Sequence, residues 1–429
     1  MRTFNRRSQR VIPAGLVVSA ILVICLSGVG CTGPASGVFG ILTSVVQLIL
    51  DLPNPIDVEF QADPEPTAAV GLITDRLLGR NIAPRHIFSF DAEVSAGVLG
   101  PDGSIYYATR TTGRVMSVHP ETLVTGDAMV DLAVNASGQR GLKGICFSLD
   151  GTTLFVTYTA STTGADSTTE SEGLENRVSS FPFAGGVVTG GETILVTGRV
   201  RDLLASDINT IGKCKIGTDG NLYYAHGDLD SRLLAQNPAP TETAGRVHRL
   251  ALDGSVPGDN PTAGSSTFCL GLRHPVNFTF DSLTGALWIL DEGNLISDEL
   301  NLGEAGVNYG WPLIQGLNNT EAEVVASTIT IGLYRNPTID FGATTVDPSA
   351  VLVLRNSPYG TDLEGDVLIA QTTGQSQVVL WSLDADPFIF RTPLFLTALE
   401  SGPIVEMVTG PNGFVFILTA IHLYRVDPA

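Results

Sequence analysis

The sequence predicts an all-β fold, a six-bladed β-propeller, and three observations support this prediction. The chain has 429 residues with 47 glycines and 24 prolines, which indicates a large fold with many tight turns. A turn rich in Gly with Asp or Asn recurs along it, and these residues accept the positive φ of hairpin turns. Each turn precedes a short run of β-branched and aromatic residues, which is typical of half-buried strands. The turns lie at residues 100–103, 150–151, 217–220, 284–285, 364–365 and 410–413.

The spacing of these turns indicates the number of blades. Measured between their last glycines, successive turns are 48, 69, 65, 80 and 48 residues apart. A four-stranded blade takes about 40–50 residues. The turns therefore predict six blades within residues 84–429, with insertions in the three longer intervals. One insertion is the polar stretch 161–173, which has no apolar periodicity. Amphipathic helical patterns are nearly absent after residue 84.

The N-terminus predicts export. Four arginines precede an apolar run at 11–26, and small residues then lead to Cys31. This order is typical of a signal peptide over residues 1–30, of the lipoprotein type with Cys31 as the lipidated residue. Ordinary cleavage and an uncleaved anchor are the alternatives. Residues 31–83 are predicted to form a tether, because prolines interrupt any regular element there. The expected location is the periplasm or the cell surface, with the membrane contacted only through the N-terminal lipid or signal anchor.

The charge of the chain restricts its partners. The net charge is −20 at pH 7, and a body this acidic repels the phosphates of nucleic acid. We therefore expect a small-molecule ligand and no nucleic acid. The acidic residues form a solvated exterior or, in some loops, hold a hard cation.

Three cysteines follow Cys31, namely Cys146, Cys214 and Cys269. Their odd number and the absence of a CxxC pair argue against a zinc site. Each lies in an apolar segment, which predicts buried free thiols. One disulfide among them is the alternative in an oxidising compartment.

Several segments, taken in order, resemble the glucose/sorbosone dehydrogenase family over about residues 85–429. The strongest match combines DELNL at 298–302 with NYGWP at 308–312. The others are GQRGLKG at 138–144, NRVS at 176–179, GRVHRLALDGSVPGDNP at 245–261, LGLRHP at 270–275 and TGALWILDEG at 284–293. The resemblance implies a six-bladed propeller that oxidises sugars with pyrroloquinoline quinone and calcium.

The residue that stands at the family's catalytic position predicts a loss of this chemistry. The family's general base is a histidine just before the third recurring turn, and Asn209 occupies that place. A carboxamide cannot accept the proton of a sugar hydroxyl, because it has no basic lone pair near neutral pH. His226, at the end of a strand, is the candidate substitute. The alternative is that His226 is a structural histidine. The same alternative applies to His274, which stands where the family has an asparagine.

The family's cofactor-holding cations are replaced as well. A lysine is expected near Thr373, and two arginines are expected where Pro403 and Val405 stand. A tricarboxylate quinone would lose its charge-assisted hydrogen bonds there, so the sequence disfavours this cofactor. By resemblance, the remaining cofactor-binding candidates are Gln139, Arg232 and Arg273; Arg232 lies one residue later than the family pattern.

Calcium is the second cofactor that the resemblance implies. Glu299 and Tyr309 match a structural calcium site, through the side-chain carboxylate and the backbone carbonyl respectively. Backbone carbonyls of the turn that contains Gly293 and Asn294 match the site of the cofactor's calcium. Oxygen ligands of these kinds suit Ca²⁺. The alternative is that the acidic residues around Glu299 only cap backbone groups.

Three functions follow as hypotheses. The first is an exported propeller with a degenerate quinone site that binds a carbohydrate or another small ligand. The second is an active quinone- and calcium-dependent sugar dehydrogenase with a shifted base such as His226. The third is a cell-surface interaction scaffold. The fold alone does not separate them.

Overall fold

The structure is a computed structural model, and it describes residues 83–200, 207–342, 345–372, 377–381 and 402–428. The predicted signal peptide, Cys31 and the tether before Ala83 lie outside these residues, as does Thr373. No helix within the described ranges is both long and apolar enough to span a membrane.

The first half of the described chain consists almost entirely of short strands. Only two 3₁₀ helices, Glu170–Glu172 and Arg232–Gln236, interrupt them in this part of the described chain. The strands are β1 (Ala83–Ser89), β2 (Val94–Leu99), β3 (Ile105–Thr109), β4 (Arg114–Val118), β5 (Thr125–Asp131), β6 (Leu142–Phe147), β7 (Thr153–Ser161), β8 (Gly173–Ala184), β9 (Val187–Val188), β10 (Thr193–Gly198), β11 (Ile211–Ile216), β12 (Leu222–His226) and β13 (Arg246–Leu250). The predicted insertion at 161–173 connects β7 to β8.

The second half continues the pattern and adds one α-helix, α1 (Glu321–Ile329), among the described residues. The strands are β14 (Thr267–Leu270), β15 (Pro275–Phe280), β16 (Leu287–Asp291), β17 (Glu299–Gly303), β18 (Val307–Asn308), β19 (Leu333–Tyr334), β20 (Ile339–Asp340), β21 (Pro348–Val353), β22 (Val367–Gln371), β23 (Gln377–Trp381), β24 (Ile404–Thr409), β25 (Val415–Thr419) and β26 (His422–Asp427). Two 3₁₀ helices, Thr361–Leu363 and Pro411–Gly413, accompany them. The predicted scarcity of helix is confirmed.

The strands form sheets of the propeller type, but the predicted number of complete blades is wrong. Five sheets have four or more strands, in the orders β2-β3-β4-β5, β10-β8-β7-β6, β11-β12-β13-β14-β18-β19, β15-β16-β17-β20 and β1-β26-β25-β24. A further sheet, β21-β22-β23, has three strands in the described part of the chain. The described residues thus contain five complete blades, and the turn at 364–365 marks one hairpin of the sheet that has three described strands.

The inner strands form a closed ring. Strand β2 contacts β6, and contacts continue through β11, β15, β21 and β24 back to β2. The sheet that contains β1 joins the two ends of the described chain, because β1 pairs antiparallel with β26. The all-β propeller is therefore confirmed, and its loops at one end of the inner strands are brought together.

The recurring turn is built in the same way in two blades. Asp102 accepts a hydrogen bond from the backbone N–H of Ser104 (3.1 Å) and another from the Tyr106 hydroxyl (3.0 Å). Asp219 accepts the equivalent bonds from residues two and four positions later, at 3.1 and 3.0 Å. The glycine after each aspartate has positive φ, 80° at Gly103 and 77° at Gly220. The carboxylate thus orients both the turn and the first aromatic residue of the next strand.

Aromatic side chains fill the space between neighbouring sheets. The ring of Phe147 lies 4.9 Å from Tyr106 and 4.7 Å from Phe183, and both pairs meet edge to face. Each large apolar side chain that is fully buried contributes about 1.5–3 kcal/mol to the stability.

The three cysteines are buried free thiols, as predicted, and the alternative of a disulfide is wrong. The Sγ atoms of Cys146 and Cys214 lie 3.4 Å apart between β6 and β11, whereas a disulfide bond is about 2.05 Å long. Burial raises the pKa of Cys269 to about 12. These thiols pack as small apolar groups.

Candidate functional site

The candidate site lies at the end of the ring where the inner strands begin. Gln139 is in the loop before β6, Asn209 is in the loop before β11 and Arg273 is in the loop before β15. The side-chain oxygen of Gln139 accepts a hydrogen bond from the backbone N–H of Asn209 at 2.6 Å. The carbonyl of Arg273 accepts one from the N–H of Asp228 at 2.8 Å. The structure therefore joins three residues that the sequence singled out.

Asn209 is a buried connector between loops. Its backbone has φ of 49°, a left-handed conformation that asparagine tolerates better than most residues. Its side chain is 1% exposed, and its Nδ2 donates to Oδ1 of Asp228 at 2.8 Å. The amide at the family's base position is therefore a donor committed to a carboxylate.

Asp228 links Asn209 to an aromatic residue that sequence reasoning had not connected with it. Oδ2 of Asp228 accepts the indole N–H of Trp311 at 2.8 Å. The guanidinium groups of Arg232 and Arg273 lie 5.6 and 5.9 Å from the centre of the Trp311 ring. These distances permit cation–π attraction. The tryptophan of the NYGWP motif was the available signal, since a buried indole N–H needs an acceptor.

Arg273 is hydrogen-bonded at the turn proposed for the cofactor's calcium. Its Nη1 donates to the carbonyls of Glu292 (3.0 Å) and Gly293 (2.8 Å). A divalent cation at the Gly293 carbonyl would lie against a permanently charged guanidinium. The described residues at this turn therefore do not fit a calcium ion, because one of the two expected carbonyls already serves a cation.

His226, the candidate substitute base, is enclosed by polar partners. Its Nδ1 lies 2.8 Å from the carbonyl of Gly227, and its Nε2 lies 3.1 Å from Nδ2 of Asn176. A carbonyl only accepts, so Nδ1 carries the proton and Nε2 accepts from the amide. Burial lowers the pKa of His226 to about 4. Its basic lone pair is thus occupied, which is the arrangement of a structural histidine.

His274 and Glu292 form a pair beside Arg273. Nδ1 of His274 lies 2.8 Å from Oε2 of Glu292. Burial opposes the ionisation of Glu292, but His274, Arg273 and Lys143 together hold its pKa below the usual value. Glu292 is therefore an anion at neutral pH in a cluster that also contains cations.

The positions of the family's two late arginines provide no charge. Pro403 is exposed, and Val405 uses its carbonyl to accept a hydrogen bond from Nζ of Lys213 at 2.9 Å. The ammonium of Lys213 also donates to the carbonyl of Ser95 and lies 3.4 Å from Oε2 of Glu406. This lysine is fully occupied inside the ring, so these positions do not fit a tricarboxylate quinone.

Three carboxylates lie side by side where the sequence suggested structural calcium. Glu299 pairs with Asp291 on one neighbouring strand and with Asp340 on the other. Burial raises the pKa of Asp291 to about 7 and that of Glu299 well above its usual value. Neighbouring carboxylates add to the raised pKa of Glu299.

Protein donors already serve the carboxylate of Glu299, the expected side-chain ligand of calcium. The Glu299 oxygens accept bonds from the N–H of Gly316 (2.8 Å) and from Nδ2 of Asn301 (3.0 Å). Tyr309 is buried, and its hydroxyl donates to the carbonyl of Leu302. No cluster of three or more His, Cys, Asp or Glu residues within the described ranges has the geometry of a metal site. Calcium at Glu299 and Tyr309 stays a prediction.

One residue of the site was missed by sequence reasoning. Lys143 is the second residue of β6, and its surroundings include Lys213, Arg110, Glu93 and Glu292. A lysine between Leu142 and Gly144, where the resembling motif has an apolar residue, was the signal that could have found it.

The comparisons with known proteins agree with this architecture. The sequence model of the family described as Glucose / Sorbosone dehydrogenase matches residues 96–423. Quinoprotein glucose dehydrogenase B of Acinetobacter calcoaceticus is 30% identical over 254 residues, which are 53% of this chain and 52% of that protein. Aldose sugar dehydrogenase YliI of Escherichia coli K12 is 31% identical over 235 residues, which are 51% of this chain and 59% of that protein. The chain thus spans about half the length of these curated relatives.

Solved structures share the fold at lower identity. The PQQ-bound aldose sugar dehydrogenase of Streptomyces coelicolor has a TM-score of 0.65 at 18% identity, covering 82% of this chain and 98% of that one. The apo-form of the soluble aldose sugar dehydrogenase of Escherichia coli has a TM-score of 0.64 at 20% identity, covering 81% and 100%. The family model covers most of the chain and agrees with the order of motifs and with the propeller. The chain belongs to the glucose/sorbosone dehydrogenase family.

Proposed function

We propose that this propeller has a degenerate quinone site and binds a carbohydrate or another small ligand without oxidising it. The observation that carries the proposal is the hydrogen bond from Asn209 to Asp228 at the family's base position. Hydride transfer from a sugar requires removal of the hydroxyl proton, and a side-chain amide that donates to a carboxylate cannot remove it. His226 does not supply a second base, because its Nε2 already accepts from Asn176.

The groups that remain at this end of the ring suit ligand binding. Gln139 is partly exposed, Arg232 is exposed and Glu292 is about one-third exposed, so polar donors and acceptors face solvent together. Sugars are recognised by such polar groups around aromatic or apolar surface. The site therefore supports binding after the groups needed for oxidation have been replaced.

The test is a titration of the purified protein with pyrroloquinoline quinone and calcium. We expect no saturable change in quinone absorbance and no dye reduction with aldoses, whereas calorimetry with the same sugars gives saturable heats. The aldose sugar dehydrogenase of Escherichia coli is the positive control for dye reduction. Turnover by this chain would establish the rival function, an active sugar dehydrogenase. Absence of both turnover and sugar binding would favour an interaction scaffold.

We also propose export, with residues 1–30 as a signal peptide and Cys31 as a lipidated residue. The supporting observation is the order of arginines, apolar run and small residues. Palmitate labelling in a bacterial host is expected for the full chain and lost in Cys31→Ser. Unprocessed chain in the cytoplasm would contradict the proposal.

A further inference from the structure

Lys143 differs from the hydrogen-bonded basic residues Arg110, Lys213 and Arg273, and also from Arg232, which is exposed and lies against the Trp311 ring. Its ammonium makes no hydrogen bond and no ion pair with any residue that the structure describes. Its side chain keeps partial access to solvent. A positive charge that lies among strands without a hydrogen-bonded partner loses hydration, and Glu93 and Glu292 attract it without bonding to it. Such a group is stabilised by an anion that arrives from solution.

The neighbouring cations are already used by the protein. Arg110 donates Nε to Glu93 at 2.6 Å, and its Nη1 donates to the carbonyls of Gly138 (2.9 Å) and Arg140 (3.0 Å). Lys213 serves the carbonyl of Val405 and the carboxylate of Glu406, and Arg273 serves the turn at Glu292. Lys143 is therefore the cation that remains available to a ligand among the described residues of this cluster.

The charges around Lys143 leave a small positive excess. Lys143, Lys213, Arg110 and Arg273 contribute four positive charges, and Glu93, Glu292 and Glu406 contribute three negative charges. The excess of one contrasts with the net charge of −20 of the whole chain. A monoanion balances this excess, whereas the dianionic form of phosphate would leave a net negative charge beside the carboxylates.

We propose that Lys143 binds the carboxylate of a sugar acid, an aldonate or a uronate, at the end of the ring that contains Asn209 and Gln139. This inference rests on the proposed ligand-binding function and names the ligand class. The ammonium donates to the carboxylate, and such charge-assisted hydrogen bonds are about twice as strong as neutral ones. The hydroxyls of the sugar then face the exposed polar side chains.

The experiment compares D-gluconate and D-glucuronate with D-glucose by calorimetry at pH 7 and low salt. The wild type is expected to bind the acids about tenfold more tightly than glucose, since one charged hydrogen bond is worth about a factor of ten. Lys143→Gln is expected to reduce the ratio of the affinities for acid and glucose to about one, whereas Lys143→Arg retains the wild-type ratio. The matched control is Arg114→Gln on β4, which removes one positive charge from a side chain that is 52% exposed.

The pH dependence gives a second readout. Burial, followed by repulsion from Lys213 and Arg110, lowers the pKa of Lys143 to about 8, while Glu93 and Glu292 oppose the shift. The affinity for gluconate is therefore expected to fall above pH 8 in the wild type and to stay level in Lys143→Arg.

The outcomes separate this inference from the proposed function. If glucose binds but the acids bind no more tightly, or Lys143→Gln keeps the preference, the inference fails alone. Inorganic phosphate that binds as tightly as gluconate overturns the choice of a carboxylate. If neither glucose nor the acids bind, or if sugars are oxidised, the proposed function fails.

Discussion

Two polar clusters of this propeller use their charged groups differently. In the 245–261 segment, Arg249 donates to Asp219 and Asp259, each at 2.8 Å, and to Asn260 at 3.0 Å. Every partner belongs to this segment or to the recurring turn, so the cluster holds strands and turns together. Around Asn209, where we propose that the groups that would hold a cofactor are replaced, the charged groups bind backbone carbonyls or face solvent.

The comparison separates residues that build the blades from residues that would carry the reaction. Arg249 and its partners maintain the fold whether or not chemistry occurs, whereas a base and cofactor cations matter only for catalysis. A chain can therefore match the family over most of its length whether or not its active end is retained. Fold and reaction are separate conclusions for this reason.

The largest expected effect is the loss of a buried carboxylate that holds loops in place. Asp298 accepts hydrogen bonds from the backbone N–H groups of Gly293 (2.8 Å), Val346 (2.7 Å) and Asp347 (3.0 Å). Asp298→Ala leaves three N–H groups without an acceptor and is expected to lower the free energy of unfolding by about 3–5 kcal/mol. Denaturant unfolding measures it. Asp253→Ala, at an exposed turn, is the control, and equal effects would contradict this assignment.

The blade cluster predicts the next effect. Arg249→Met keeps the length of the side chain but removes its bonds to Asp219, Asp259 and Asn260. We expect a loss of about 1–2 kcal/mol, since the Arg249 side chain is 10% exposed but Asp259 is largely solvated. Thermal unfolding measures the change. An unchanged melting temperature would remove the structural role given to this cluster.

Restoring the family's imidazole at position 209 tests the proposed loss of the catalytic base directly. Asn209→His is expected to lower stability by about 1 kcal/mol, because it removes the amide bond to Asp228. It is expected to give no dye reduction with quinone and calcium, since Arg273 still serves the Gly293 carbonyl. Turnover by this single variant would show that the loss of the base is the sole defect.

Two lysines of the inner strands, Lys143 and Lys213, extend the comparison through their effects on the free energy of unfolding. Lys143→Met is expected to raise the free energy of unfolding by about 1 kcal/mol, discounted for solvent access, because it removes an ammonium without a described partner. Lys213→Met is expected to lower it, because Glu406 loses an ion pair. The folded pKa of Lys143 is lowered to about 8 from 10.5.

The sign of the pH dependence follows from linkage. The unfolded chain binds more protons at Lys143 between pH 8 and about 10.5, so wild-type stability gains over this window. The advantage of Lys143→Met is therefore full below pH 8 and disappears as pH rises to 10.5. A constant advantage across this range would contradict the charged, partnerless state of Lys143.

The smallest effect is expected at the carboxylate row. Burial and the neighbouring carboxylates raise the pKa of Glu299, so the neutral amide of Glu299→Gln resembles the protonated acid. The buried Oδ1 of Asn301, which has no hydrogen-bond partner in the described structure, can accept from the new amide after rotation. If no metal binds at Glu299, the melting temperature is expected to stay unchanged in calcium and in chelator. A loss of stability only in calcium would place a metal at Glu299.

The sequence predicted the turns and strands better than it predicted the hydrogen bonds between residues that are distant along the chain. The turns at Gly103 and Gly220 were recognisable because Asp-Gly pairs meet a local need for positive φ. Asn209 was identified as the residue at the base position. Its bond to Asp228, by contrast, joins loops 19 residues apart along the chain. The Arg273 contact to Gly293 and the isolation of Lys143 depend on which strands are neighbours in the ring.

The sequence by itself determined the all-β class, the recurring turns and the family, because these depend on local backbone preferences and on ordered motifs. Only the tertiary structure decided the number of complete blades, the free state of Cys146 and Cys214, and the partners of each charged group. Pairing of strands and burial of charges are long-range properties, and their energies depend on neighbours that no local pattern specifies.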